Sequence, residues 1–132
     1  MSYASLIYDY VDADGTNIIK SGLDQLNIDV KAKLNTRLNI LEQMDRPDWK
    51  MPMTEVLHGD KDGLIAIRVN YHGIAHRLLG FDGPLRGEFT ILAYCTERNN
   101  KYIPLNIGRV AFEYRAAIRA NPVARKTRHN FR

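Results

Sequence analysis

The chain has 132 residues, of which 45% are hydrophobic and 26% are charged, a composition typical of one soluble globular domain. No apolar run approaches the roughly 20 residues of a membrane-spanning helix, and the N-terminus lacks the charged and apolar blocks of a signal peptide. The single cysteine excludes an internal disulfide and favours a reducing compartment, so a cytoplasmic location is expected.

The charge is unevenly distributed along the chain. Residues 1–96 carry ten Lys/Arg and thirteen Asp/Glu, whereas residues 97–132 carry nine and two. Such a basic end indicates a polyanion or an acidic partner, although a solvated tail would look the same. Residues 1–122 are predicted to form a single domain. Residues 123–132 are basic and nearly free of apolar side chains, which predicts a flexible tail.

The first part of the chain predicts a strand followed by two helices. The strand is expected at residues 5–10, and the first helix at residues 16–26 with Thr16 or Asn17 as its cap. Asn27 is expected to cap the second helix. Because so few residues separate the helices, an antiparallel hairpin is expected. Its apolar stripe should lie in the core: Val30, Leu34, Leu38 and Leu41.

The second part predicts an antiparallel meander followed by a helix. Residues 45–63 contain prolines and glycines and are expected to be an irregular connection. Three strands are predicted with glycine-containing turns between them: Leu64–Asn70, Ile74–Phe81 and Phe89–Thr96. The last helix is predicted to begin at Pro104 and to end before Asn121.

Two arginines, Arg68 and Arg77, lie inside the most apolar of these strands. A guanidinium stays charged at any working pH, so burying one without a partner is very costly. Each must therefore pair with an internal acid or line an open face. Together, on neighbouring strands of a basic chain, they predict an anion-binding face of the sheet. Side-chain alternation alone does not decide whether Tyr94 joins them on that face.

The chemistry available is metal-free. The chain has no phosphate-binding glycine loop, no nucleophile elbow and no metal-ligand spacing among its four histidines, so no cofactor is expected. Arg, Lys, His and Tyr suit RNA cleavage by the 2′-hydroxyl, which needs a base, an acid and cations for the phosphorane. Arg68 and Arg77 could supply the positive charge that stabilises the phosphorane. Lys101 could contact another phosphate. Tyr94 or His58 could transfer the proton. His76 is another candidate, but it alternates with Arg77 and is better interpreted as structural.

Several of these segments occur together in a known family. They are a loop ending Leu57-His58-Gly59, the strand Asp62-Gly63-Leu64-Ile65-Ala66-Ile67-Arg68-Val69, the strand Ala75-His76-Arg77-Leu78-Leu79-Gly80-Phe81, and a helix that starts at a proline and contains Ala111. In this order they resemble the RelE/ParE toxin superfamily, most closely its phage-derived HigB-type branch. The resemblance covers residues 3–120.

The resemblance implies an α+β fold, with a twisted antiparallel sheet packed on an N-terminal helical hairpin and a C-terminal helix. It implies the toxin of a type II toxin–antitoxin system, a ribosome-dependent mRNA endonuclease that inhibits translation. Its partners would be the ribosome, mRNA and a cognate antitoxin, expected to be of the helix-turn-helix type. Arg68 and Arg77 match arginines of the family's strand motifs. The predicted site comprises catalytic Arg68, Arg77 and Tyr94, and RNA-binding Arg98, Lys101, Arg115 and Arg119.

The chain also departs from the family pattern. Residues 96–104 contain only Arg98 and Lys101 where the family is lysine-rich, and Ala66 stands where an acid is common. These departures keep two alternatives open. One is a ParE-like toxin that inhibits DNA gyrase. The other is a non-catalytic nucleic-acid-binding module of a phage or mobile element.

Overall fold

The computed structural model describes residues 4–132, and within them the chain forms three α-helices and one mixed seven-stranded sheet. The predicted α+β class is therefore confirmed. Residue 3, where the resemblance begins, lies outside the described residues. The elements in chain order are β1 (Leu6–Tyr10), α1 (Ile18–Asp24), α2 (Ile28–Gln43), β2 (Thr54–Val56), β3 (Ile65–Tyr71), β4 (Ile74–Asp82), β5 (Glu88–Arg98), β6 (Lys101–Ile103), α3 (Ile107–Ala120) and β7 (Lys126–Arg128).

The strands lie in the order β2-β3-β4-β5-β1-β7, and β6 pairs with one end of β5. The predicted meander of β3, β4 and β5 is confirmed as antiparallel. The expectation of a wholly antiparallel sheet is wrong, because β1 runs parallel to β5 from Leu6 opposite Glu88 to Asp9 opposite Ile91. Parallel neighbours need a long crossover connection, and the two helices and the meander between β1 and β5 provide it.

Asparagine caps fix where the first two helices begin. The Asn17 side chain accepts a hydrogen bond from the Lys20 backbone N–H, and the Asn27 side chain accepts one from that of Asp29. Each bond satisfies a backbone donor that the first helical turn leaves free. The third helix begins later than predicted, after Asn106, because β6 takes up the residues just before Pro104.

The core lies between the sheet and the helices. The leucine stripe of α2 is completely buried, as predicted, and contributes Leu34, Leu38 and Leu41. Helix α2 packs on β3 and β1, whereas α3 packs on β5 and β4. From α3, Ala111 and Ile118 are also completely buried. No helix in residues 4–132 is long and apolar enough to cross a membrane.

The basic tail is part of the fold, so the prediction of a flexible tail is wrong. Strand β7 pairs with β1, with Lys126 opposite Tyr10 and Arg128 opposite Tyr8. Composition alone suggested disorder, because it did not show that carboxylates elsewhere neutralise this charge. In the structure Lys126 pairs with Glu88, and Arg128 pairs with Glu42.

A buried polar cluster holds the end of β7 against the core. His129 lies with its Nδ1 2.7 Å from Oδ1 of Asp9 and its Nε2 2.8 Å from Oδ1 of Asn35. The Asn17 side chain donates a 2.9 Å hydrogen bond to the other carboxylate oxygen of Asp9. Asp9 is completely buried and His129 nearly so. A buried carboxylate needs such partners, and here one of them comes from the far end of the chain.

We expect His129→Ala to lower the free energy of unfolding by roughly 3–5 kcal/mol, since it leaves a buried carboxylate without its main partner. Urea denaturation followed by circular dichroism measures this change. Thr127→Ala, on the exposed side of β7, is the matched control and should be close to neutral. Equal stability of the two variants would show that β7 contributes little to folding.

Candidate functional site

Arg77 is a buried structural residue, with only 2% of its surface exposed. Its Nε donates to the Glu97 carboxylate at 3.0 Å, and its Nη1 donates to Oδ1 of Asn70 at 3.0 Å and to the His76 carbonyl at 2.9 Å. A guanidinium occupied and enclosed in this way is not available to a ligand. The internal ion pair is therefore the correct interpretation of Arg77, and its predicted catalytic role does not fit this geometry.

Arg68 lies directly opposite Arg77 in the β3–β4 ladder, so both side chains leave the same face of the sheet. Unlike Arg77, Arg68 is partly exposed and has no strong acceptor among the described residues. Its Nη1 lies 3.1 Å from the Met51 sulfur and 3.4 Å from the Pro52 carbonyl, and its Nε is buried without a hydrogen-bond partner in residues 4–132. An anion beside this guanidinium would satisfy donors that the protein leaves free.

A second arginine, Arg37 of α2, lies beside Arg68. Its Nη1 donates a 2.7 Å hydrogen bond to the Arg68 carbonyl. The segment before β2 still covers this edge, since the Arg68 N–H donates to the Met53 carbonyl at 2.9 Å, but the Met53 N–H donates to the Lys50 carbonyl and so leaves the Arg68 carbonyl available. Burial, and next the charge of Arg68, lower the pKa of Arg37. Two like charges thus lie close together, which is unfavourable unless an anion joins them.

The two arginines line a depression at the edge of β3, and Arg37 and Asn70 also line a second depression beside it; we call the two together the edge cleft. One part has a volume of about 200 Å³ and a second part about 250 Å³, and they share Arg37 and Asn70. Lys33 adds a third cation. Within residues 4–132 no carboxylate lines either part, and no salt bridge involves Arg37 or Arg68.

A larger cleft of about 520 Å³ continues across α2 and shares Thr36 with the edge cleft. It is lined by Ile28 and Phe131, by small polar side chains, and by two further cations, Lys31 and Arg132. Lys31 pairs with Asp24, but no Asp or Glu side chain of residues 4–132 lines this cleft. The cationic surface therefore extends from the sheet edge across the exposed side of α2.

Tyr94 lies on the opposite face of the sheet from Arg68 and Arg77. It stands opposite Leu78, the neighbour of Arg77 on β4, and alternation places it on the other side. Its hydroxyl lies 2.6 Å from Nδ1 of His76. Burial raises the pKa of Tyr94, whereas burial and then Arg77 lower the pKa of His76. The structure therefore does not bring Tyr94 into a catalytic set with the arginines.

The four predicted RNA-binding residues lie away from the edge cleft. Arg98 and Lys101 are exposed and face each other across the β5–β6 pair. On α3, Arg115 lies over the Phe112 ring at 4.6 Å, and Arg119 lies over the Phe81 ring at 5.4 Å. None of the four lines the edge cleft.

The remaining reactive groups offer little chemistry. Cys95 is buried, and burial raises the pKa of its thiol to about 12, so little reactive thiolate forms at neutral pH. His58 is largely exposed, with its Nδ1 3.9 Å from Asp62. Within residues 4–132 no group of three His, Cys, Asp or Glu could hold a metal ion.

Sequence reasoning missed Arg37 and Lys33. Both lie on the polar side of α2, opposite the leucine stripe. Their spacing of four residues puts them on one helical face, which is the only local signal. Their proximity to Arg68 depends on how α2 packs against the end of β3, which no local pattern reveals.

Comparisons with protein-family models, with curated proteins and with solved structures gave no match for this chain.

Replacing Arg77 should damage the fold rather than a binding site. We expect Arg77→Met to lower the free energy of unfolding by roughly 3 kcal/mol, because Glu97 and Asn70 lose their shared partner. Urea denaturation measures this. Adding Glu97→Leu should recover part of the loss, since the unpaired carboxylate is then gone. An Arg77→Met protein of normal stability that no longer binds nucleic acid would instead place Arg77 in the site.

Proposed function

We propose that this protein binds RNA through the edge cleft and acts as the toxin of a type II toxin–antitoxin pair, a ribosome-dependent mRNA endonuclease that inhibits translation. The observation that carries the proposal is the juxtaposition of Arg37 and Arg68 with no carboxylate among the described residues that line the cleft. Paired guanidiniums with free donors match the geometry of phosphate oxygens.

A phosphodiester strand fits this surface better than a single small anion. The cations are spread over adjoining clefts that share Arg37 and then Thr36, so one extended ligand could contact them in succession. Neutralising several phosphates releases counterions and supplies most of the affinity of a nucleic-acid-binding surface.

The assignment as a toxin is supported by the sequence. The resemblance to the RelE/ParE superfamily includes the strand that carries Arg68, whose Nε has no hydrogen-bond partner in the described chain. The α+β class is compatible with that family. A toxin of this kind would be held inactive by an antitoxin, and its target would be mRNA on the ribosome.

For cleavage, Arg37 and Arg68 would stabilise the extra charge of the phosphorane. The attacking group is the 2′-hydroxyl of the RNA itself, so the protein supplies no nucleophile. No histidine of the described chain lines the edge cleft. Alignment of the 2′-hydroxyl by the ribosome would therefore contribute a large part of the rate, and this makes cleavage of free RNA slow.

A second candidate is a nucleic-acid-binding protein that does not cut. It is favoured by one observation, the placement of Tyr94 and His76 on the opposite face of the sheet from Arg68. In this candidate the RNA also binds in the edge cleft, but it is not cleaved.

Removing the edge-cleft charges should lower the affinity for RNA and make that affinity less sensitive to salt. We expect Arg37→Gln and Arg68→Gln each to lower the affinity for single-stranded RNA severalfold, and to reduce the slope of log K against log salt by about 0.7 for each phosphate that is no longer neutralised. Fluorescence anisotropy over a salt series measures both. Arg86→Gln removes an exposed charge outside these clefts and should change neither. Identical slopes for all variants would refute the cleft as an RNA site.

Induced expression should halt growth and translation, and the Arg37→Gln, Arg68→Gln double variant should relieve the arrest. Amino-acid incorporation measures translation, and mapping of mRNA 5′ ends reveals cleavage. Arrest with intact mRNA and broken DNA would point to the gyrase-inhibiting alternative. Arrest of undiminished strength in the double variant would remove the edge cleft from the mechanism.

A further inference from the structure

The turn between β3 and β4 holds an aromatic ring where the backbone does not favour one. It consists of only two residues, His72 and Gly73, with φ values of +49° and +77°, and Tyr71 pairs with Ile74 to close it. Two-residue turns with positive φ at both positions prefer asparagine or glycine at the first. Histidine adopts this conformation less readily than asparagine or glycine, and here its ring is exposed to solvent.

The His72 ring is held in place by its neighbours. Its centroid lies 4.2 Å from that of Tyr71, with the two ring planes 87° apart. Tyr71 is partly buried against the core, and the Lys33 ammonium lies 5.1 Å from the Tyr71 centroid. The imidazole thus stands on a fixed support and is itself open to solvent.

The turn that carries this ring lies next to the edge cleft along the chain, and the ring itself is not among the groups that line the cleft. Lys33, which contacts Tyr71, lines that cleft, and so does Asn70, two residues before His72. An RNA strand with its phosphates at Arg37 and Arg68 would carry an adjacent base to within reach of the turn. Sites for single-stranded RNA combine a cationic groove with exposed rings on which bases stack.

We propose that His72, supported by Tyr71, is a base-stacking platform, and that the edge cleft therefore selects single-stranded RNA over duplex RNA. This inference rests on the proposed function, because it assumes that RNA phosphates occupy the cleft. Bases within a duplex are already stacked on each other and present no free face to such a ring.

The test compares a single-stranded RNA oligonucleotide with a duplex of equal length, by fluorescence anisotropy on the full chain. His72→Asn removes the ring but suits the turn, so we expect an unchanged or higher melting temperature together with a loss of single-strand affinity on the order of tenfold. Duplex affinity should not change. His72→Phe should restore single-strand binding, which assigns the effect to the ring.

The inference is overturned if His72→Asn binds the single strand as tightly as the unmodified protein, or loses affinity equally for both ligands. Failure of the proposed function has a different signature. In that case the unmodified protein binds neither RNA, or it binds both and Arg37→Gln and Arg68→Gln leave the affinities unchanged. Either outcome also refutes the base-stacking role of His72.

Discussion

A guanidinium keeps its charge in every environment, so each arginine on a strand of the sheet needs either an internal partner or access to solvent. Arg68 and Arg77, on adjacent strands, meet this requirement in two different ways. Arg77 is enclosed by Glu97, Asn70 and a backbone carbonyl, whereas Arg68, directly across the ladder, is left with weak acceptors and one orphaned donor among the described residues. The Arg77–Glu97 ion pair joins β4 to β5, whereas Arg68 is the arginine that we propose to contact RNA. Asn70 joins the two, because its side chain holds Arg77 and also lines the edge cleft.

The edge cleft results from unequal strand lengths. Strand β2 spans three residues and β3 spans seven, so the outer edge of β3 is only partly paired. Exposed strand edges are a liability, and proteins often protect them with charge. Here Nη1 of Arg37 donates to the Arg68 carbonyl, which satisfies that backbone acceptor and places the Arg37 guanidinium beside the strand that carries Arg68. This hydrogen bond thus covers part of the strand edge and fixes one of the two arginines that line the cleft.

Sequence patterns correctly predicted the elements that are set by interactions between residues close together in the chain, such as helix caps and turns. The cap at Asn27 and the leucine period placed α2, and glycine-containing turns delimited β3 and β4 closely. Strand β6 was missed, although Asn99-Asn100 carries the signal of a two-residue turn, with φ values of +53° and +63°. The third helix was consequently begun too early.

Other features depend on contacts between distant segments and have no local signature. The face on which Tyr94 emerges follows from the pairing register with β4, which alternation alone leaves undetermined. Strand β7 looked like a solvated tail, because its partners Glu88 and Glu42 lie far away in the sequence. Arg37 could be assigned to a polar helix face but not to a neighbour of Arg68. The sequence therefore singled out one arginine of the edge cleft and left its companion unrecognised.

The pairing of β1 with β7 has a consequence for biosynthesis. Asp9 leaves the ribosome 120 residues before its partner His129, which corresponds to roughly ten seconds at ordinary elongation rates. Until His129 has emerged, the Asp9 carboxylate stays hydrated, and β1 lacks its neighbour β7 on one side. The nascent chain therefore cannot complete its sheet while residue 129 is still inside the exit tunnel, and a chain cut short before that point carries an exposed strand edge that chaperones and proteases recognise.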